Sequence, residues 1–357
     1  MAVKIDNLDE GKLEKLQCKV IGDVAGSMGL LLAYIGDRLD LYSALAEISP
    51  ATSQELASNT GLSERYLLEW LSANSAGGYI NYDPASGKFS MTPEQAVIFA
   101  SEGHPHCMQG FFQAVISVYA DEPKATEIFR SGEGLPWADH STCLFCGTER
   151  FFRPLYAANL VESWIPALDG VREKLEAGAK VADIGCGHGS STIIMAQAFP
   201  ESTFYGFDFH EPSIEHARDR ARNAGVARNT IFEVVTAKEY PGKDFDLVAI
   251  FDALHDMGDP VGAAAHILTT LADDGTFMLV EPFAGDSLEE NLHPLGQIYY
   301  SFSTTVCVPA SKAQEVGLAL GTQAGQKRLT EVLNEGGFSH VRRATETPTN
   351  IVLEARP

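Results

Sequence analysis

At 357 residues, with 45% apolar and 21% charged residues, the chain is long enough for two domains and has the composition of a folded protein. Its net charge of −22 would repel nucleic-acid phosphates and acidic membrane surfaces, and no local basic patch offsets it. The six cysteines, Cys18, Cys107, Cys143, Cys146, Cys186 and Cys307, lack a disulfide-scaffold spacing, and the N-terminal MAVKIDNLDEGKLEK has no apolar signal core, which points to the reducing cytoplasm. The longest apolar run, Met28 to Ile35, is too short for an uninterrupted membrane-spanning helix, so the expectation is a soluble chain with no membrane partner.

Residues 11 to 46 hold apolar-periodic stretches around Val20, Val24, Leu31, Ile35, Leu41 and Leu45 that read as helices. Thr52-Ser-Gln-Glu55 is a capping-box start, and Ser63 is a second N-cap ahead of Tyr66 to Leu71. Gly77-Gly78 ends that helix, and Tyr79 to Tyr82, a turn at Asp83 to Gly87, and Lys88 to Met91 supply a hairpin. Helix, turn, helix and hairpin make a winged helix. Its charges argue against DNA, because Glu55, Glu64, Glu69 and Asp83 face only Arg65 and Lys88, and phosphate contacts supply most nonspecific affinity. Residues 1–103 therefore read as a dimerisation and scaffold domain.

Residues 104–169 read as a helical linker or lid dense in aromatics: Phe111, Phe112, Tyr119, Phe129, Trp137, Phe145, Phe151, Phe152, Tyr156 and Trp164. Most belong in a core, and some could line a pocket over a cofactor loop. Cys143-Leu-Phe-Cys146 offers two ligands where tetrahedral zinc wants four, so the pair reads as packed thiols and no metal is expected.

From Gly170 strands alternate with helices, which argues for a largely parallel sheet covered on both faces. The strands are Val181–Ile184, Thr203–Phe207, Ile231–Val235, Phe245–Phe251 and Thr276–Glu281, the last after a turn at Asp273-Asp274-Gly275. A helix ends at Gly336-Gly337, and Phe338 to Thr345 and Asn350 to Ala355 form a closing hairpin. The fold class is α/β: a Rossmann-like, seven-stranded, mostly parallel sheet in 170–357, behind a mainly α winged helix.

The first strand runs into Asp183-Ile-Gly185-Cys186-Gly187-His-Gly189. A dinucleotide fingerprint would present bare amides to a pyrophosphate, whereas a carboxylate at the strand end suits a cationic, amino-acid-like group. This favours S-adenosylmethionine over a nicotinamide cofactor, with S-adenosylhomocysteine as product. Beyond strand two Asp208 is placed to accept hydrogen bonds from ribose hydroxyls, and Phe209 to lie against adenine. Strand three ends without an acid, leaving Thr236 and Ala237 to meet the adenine through the hydroxyl, backbone groups and apolar walls. Phe251 and Asp252 close strand four beside the cofactor, and His255 after it is the candidate general base, with Asp256 as its partner or as a helix cap.

Together these residues resemble the class I S-adenosylmethionine-dependent methyltransferases. The winged helix is similar to the dimerisation domain of small-molecule methyltransferases, and Leu254-His255-Asp256 resembles the Leu-His-Asp element whose histidine is the base in O-methyltransferases. Met257-Gly258-Asp259 departs from the tryptophan, serine and acid usual there. Gly147 to Arg153 and Leu279 to Gly285 resemble the mycobacterial winged-helix group. The resemblance implies a homodimer and a small acceptor, methylated on O, N, S or C by in-line displacement. Residues 283–326 form an insertion holding His293, Tyr299, Tyr300, Phe302 and Cys307, of the kind that serves as a lid. Trp137, His140, Phe151 and Tyr299 are the candidate acceptor-lining residues. Three rivals stand beside this reading: a dehydrogenase, a methyltransferase acting on a macromolecule, and a non-enzymatic winged-helix regulator sensing a metabolite.

Overall fold

The computed structural model describes residues 8–357; residues 1–7, part of the stretch read above for a leader, lie outside them. The chain forms two compact units, Met1–Ile116 with Cys146–Phe151, and Ser117–Phe145 with Phe152–Pro357.

The first unit opens with α1 (Glu10–Arg38), α2 (Leu41–Ile48), α3 (Ser53–Thr60) and α4 (Glu64–Ala76). Strands β1 (Asn81–Asp83) and β2 (Lys88–Ser90) pair antiparallel as the wing, and α5 (Pro93–Ala100) follows. The capping box forms as its sequence requires: the Thr52 hydroxyl accepts from the Glu55 amide at 3.2 Å, and the Glu55 carboxylate accepts from the Thr52 amide at 2.7 Å. Tyr42 centres the core, with its ring 4.8 Å from Trp70 and 4.9 Å from Phe99 and its hydroxyl donating to Asn74 Oδ1. On α4 Arg65 is paired with Glu69, and Glu64 accepts from Ser53.

Helix α1 corrects the expectation that no segment is long enough to cross a bilayer. It runs 29 residues unbroken and, by length and composition, is long and apolar enough to do so. Leu13, Leu16, Val20, Ile21, Val24 and Met28 are each at least half exposed on it. Counting an uninterrupted apolar run stopped at Gly26-Ser27, which interrupt the composition without breaking the helix.

Helices α6 (Gln109–Ala120), α7 (Glu122–Ser131) and α8 (Thr142–Asn159) follow. Within the first unit, the 146–151 stretch of α8 is fastened by close backbone packing and by charge. A Cβ on Gly147 would stand 2.5 Å from the Ala114 nitrogen, and the Arg150 guanidinium donates to both Asp37 oxygens at 2.9 and 3.0 Å, to Glu102 at 2.7 Å and to Gln113 at 2.8 Å.

The second unit contains α9 (Val171–Ala177), β3 (Lys180–Ile184), α10 (Ser190–Ala198), β4 (Thr203–Asp208), α11 (Glu211–Asn223), β5 (Thr230–Val234) and β6 (Phe245–Phe251). Then come α12 (Pro260–Thr270), β7 (Leu271–Pro282), α13 (Pro294–Phe302), α14 (Val308–Lys312), α15 (Gly325–Glu335), β8 (His340–Glu346) and β9 (Asn350–Arg356). The seven strands are ordered β5-β4-β3-β6-β7-β9-β8, parallel except for the final hairpin. This is the α/β architecture expected. Alternation along the strands divides the core, with Val181, Leu247, Ala249 and Met278 in one cluster and Ala182, Val248, Ile250 and Phe277 in the other. Strand β7 departs from the expectation: Leu271 to Gly275 belong to the strand as an irregularity, since Phe245 pairs with Leu271 and Leu247 with Thr276.

Candidate functional site

The strand order reverses between β3 and β6, so the crevice beyond their carboxyl ends is where a ligand belongs in an open parallel sheet. Gly185 and Cys186 leave β3 with both amides donating to the Phe207 carbonyl, at 2.8 and 3.1 Å. Arg220 of α11 braces the far side of the turn through His188 O at 3.1 Å and Ser190 Oγ at 2.9 Å. Gly187 has a φ of +51°, and a Cβ there would meet nothing within 4 Å, so the backbone is bare towards open space. Cys186 is buried, its sulfur standing 3.0 Å from where a Cβ on Gly206 would be.

Two carboxylates frame this turn. Asp183 is buried, and its Oδ2 accepts from Ser191 and Thr192, both at 2.6 Å, while Oδ1 has no hydrogen-bond partner. Asp208 accepts from the Gly187 amide at 2.9 Å and from the His210 amide at 2.8 Å. Burial raises the pKa of both, Asp183 to about 6 with Asp208 adding to the effect, and backbone and hydroxyl donors pull the other way. A buried acid with one orphaned oxygen, beside a second, half-buried acid, fits a cationic ligand.

Residues 175–337 match the methyltransferase domain family, and residues 26–101 match the Rv2258c-like winged HTH domain. Residues 175–337 belong to the methyltransferase domain family. The 27-O-demethylrifamycin SV methyltransferase of Amycolatopsis mediterranei is 40% identical over 87 residues, 24% of this chain and 32% of that protein, so the chain spans about a third of that relative. Two solved structures share the fold: mitomycin 7-O-methyltransferase, at a TM-score of 0.72 and 17% identity over 98% of this chain and 100% of that one, and human N-acetylserotonin methyltransferase in complex with S-adenosylmethionine, at 0.71 and 14% over 99% of each.

For a methyltransferase of this family the orphaned Asp183 Oδ1 and the open space at Gly187 fit the cofactor. Because the folded pKa of Asp183 stands above its unfolded value, ionising it costs the free protein stability, a loss that grows as pH rises through about 6. A cation beside the carboxylate reverses that cost. Cofactor affinity should therefore climb between about pH 5 and 7 and then level off, and a flat profile by calorimetry would count against Asp183 as a cation partner.

Other cofactor candidates are placed less uniformly. Phe209 is 52% exposed beyond β4, and Phe251 is buried with its ring 5.5 Å from Tyr156. The Thr236 hydroxyl donates to Glu239 Oε2 at 2.9 Å, and Ala237 packs partly buried against the α12–α15 side of the core. Asp252 holds a φ of +49°, an uncommon setting for a side-chain-bearing residue, and accepts from the Tyr156 hydroxyl and from Asn350 Nδ2, both at 2.7 Å. Burial, with Glu281 nearby, raises its carboxyl to about 7.

After β6, His255 is 3% exposed. Its Nδ1 is bonded to Glu281 Oε2, while Glu281 Oε1 accepts from the Leu254 amide at 2.9 Å. Its Nε2 lies 3.3 Å from Asp256 Oδ1. Burial disfavours the imidazolium, but the Glu281 and Asp256 carboxylates outweigh it and raise the imidazole's pKa above its ordinary value. Sequence reasoning offered only Asp256 as the partner and missed Glu281. Asp256 does not cap the next helix; Asp259 does, accepting from the Gly262 amide at 2.8 Å.

Among the acceptor-lining candidates, Trp137 and His140 stand together with ring centres 6.2 Å apart. Trp137 packs with Phe145 and Phe302 against buried Leu144, Val306 and Cys307. The buried His140 has Nδ1 3.3 Å from Asp121 Oδ2 and no partner on Nε2. Tyr299 is buried and donates to the Thr349 carbonyl at 2.9 Å. Phe151 belongs to the first unit, its ring 4.7 Å from Phe111.

Proposed function

We propose that the chain transfers the methyl group of S-adenosylmethionine to a small, largely apolar acceptor. The observation that carries this is the turn after β3, where Asp208 holds the Gly187 amide and the buried Asp183 keeps one oxygen unpaired beside bare backbone. When bound, S-adenosylmethionine supplies a methyl group already activated on sulfur, so the protein's work is positioning and exclusion of water. In this reading Asp183 faces the cationic end, Asp208 accepts from the ribose, and Phe209, Thr236, Ala237, Phe251 and Asp252 complete the cofactor's walls. Trp137, His140 and Tyr299 lie toward the acceptor, and the aromatic cluster around Trp137 supports an apolar one.

His255 in its neutral form, which the raised pKa shifts to higher pH, would remove the acceptor's proton where that acceptor is a hydroxyl, with Asp256 at Nε2 and Glu281 holding the ring through Nδ1. An amine or thiolate reacts without it. Incubating the protein with isotopically labelled donor and a metabolite extract should yield a labelled small molecule. Asp208→Ala should bind the donor more weakly by about 1–3 kcal/mol, as expected for a lost buried partner. Stabilisation by NAD alone in a thermal-shift assay would sink the reading.

We further propose a cytoplasmic homodimer in which a second copy covers α1. The half-exposed apolar side chains of that helix support the dimer, and six cysteines with no disulfide between them support the compartment. A monomer by sedimentation velocity at micromolar concentration would refute the first, and recovery in the membrane fraction the second.

A further inference from the structure

We propose that His255, Asp256 and Cys307 form a binding site for a divalent transition-metal ion of the zinc type. His255, Asp256 and Cys307 come from two separate segments of the chain and each offers one ligand atom within 4.8 Å of the others, with His255 Nε2 standing 3.3 Å from Asp256 Oδ1. In a tetrahedral zinc site, metal–ligand bonds of about 2.0–2.3 Å set the ligand atoms roughly 3–4 Å apart, so side-chain adjustments of about 1 Å close the cluster.

Three further observations make this more than proximity. The Glu281 carboxylate binds His255 Nδ1, which leaves Nε2 as the nitrogen turned to the cluster and raises its strength as a ligand. Asp256 Oδ1 is buried and, although 3.3 Å from Nε2, makes no aligned hydrogen bond with it. Cys307 is buried at the end of a π-helical turn, Ser303–Cys307, a backbone irregularity that recurs at functional sites. One imidazole, one carboxylate and one thiolate suit zinc, whereas magnesium and calcium take oxygen donors. Three protein ligands leave a fourth position for a small molecule.

Binding forms three metal–ligand bonds, with no change of oxidation state, and releases two protons to solvent, one from the Cys307 thiol and one from Nε2 of the His255 imidazolium. A metal on Nε2 also prevents that nitrogen from accepting a proton. Metal occupancy and the base role of His255 are therefore mutually exclusive; that consequence rests on the proposed function, while the site itself does not.

The test uses no methyl donor, so its failure is distinct from failure of the methyltransfer reading. The full-length protein, stripped with chelator and kept reduced, is titrated with Co2+ while its absorption is followed. The expected result is saturation at one equivalent, with a thiolate-to-cobalt charge-transfer band and tetrahedral d–d bands that bleach when Zn2+ is added. Cys307→Ser preserves side-chain size, and should lose the charge-transfer band and bind Co2+ at least 10-fold more weakly. Replacing the exposed Cys18 and Cys146 by Ala should leave the band intact. Absence of the band in the wild-type protein, its persistence in Cys307→Ser, or its loss in the Cys18/Cys146 variant would each overturn the site.

Discussion

His255→Ala is expected to lower turnover on a hydroxyl acceptor by roughly 10²–10⁴-fold, the usual worth of a positioned general base, while donor affinity stays nearly unchanged. The separation follows from placement. His255 stands beyond β6 on a short turn of its own, fixed by Glu281 at the end of β7, and makes no hydrogen bond to the glycine turn after β3. Removing the imidazole leaves Asp183, Asp208 and Gly187 with every contact described for them. Single-turnover transfer of labelled methyl, set against calorimetric donor affinity for the same variant, measures the two effects independently. Turnover unchanged on a hydroxyl acceptor would make the histidine structural, and donor affinity falling in step with turnover would place it in the cofactor site.

The partner of this histidine marks where sequence reading stops. Asp183, the three glycines and Asp208 could be read directly, because a strand, a tight turn and an acid at the next strand end are local signals with fixed spacing. Glu281 lies 26 residues from His255, and its role depends on the parallel register that sets Phe251 beside Val280, which no local pattern encodes. The available signal was an acid next to a proline at the end of an otherwise apolar strand, Leu279-Val280-Glu281-Pro282, where burial demands a partner. Asp252 is similar, since its partners Tyr156 and Asn350 lie 96 and 98 residues away. The winged helix was legible for the opposite reason: its capping box and turn glycines act over three or four residues. Phe151 shows the limit of periodicity, which does not say that this half-buried ring packs on Phe111 in the first unit.

Two glycines of one turn should fail in opposite ways when given a side chain. Gly189 has a φ of +73°, and a Cβ there would stand 2.9 Å from the Phe232 ring and 3.0 Å from the Ala217 methyl, beneath the start of α10. Valine at this position meets left-handed backbone strain of about 1–2 kcal/mol and overpacking of about 1–3 kcal/mol. Gly189→Val should therefore lose several kcal/mol in denaturant unfolding, and with that the fold of the second unit. Gly187 also has positive φ, but nothing stands within 4 Å of its missing Cβ. Gly187→Val should pay mainly the backbone strain, remain folded and lose donor binding, because the side chain enters the space left for the cofactor. The contrast isolates the two duties of the turn, packing at Gly189 and ligand approach at Gly187. If Gly187→Val bound the donor normally, the cofactor would have to lie elsewhere than over this turn.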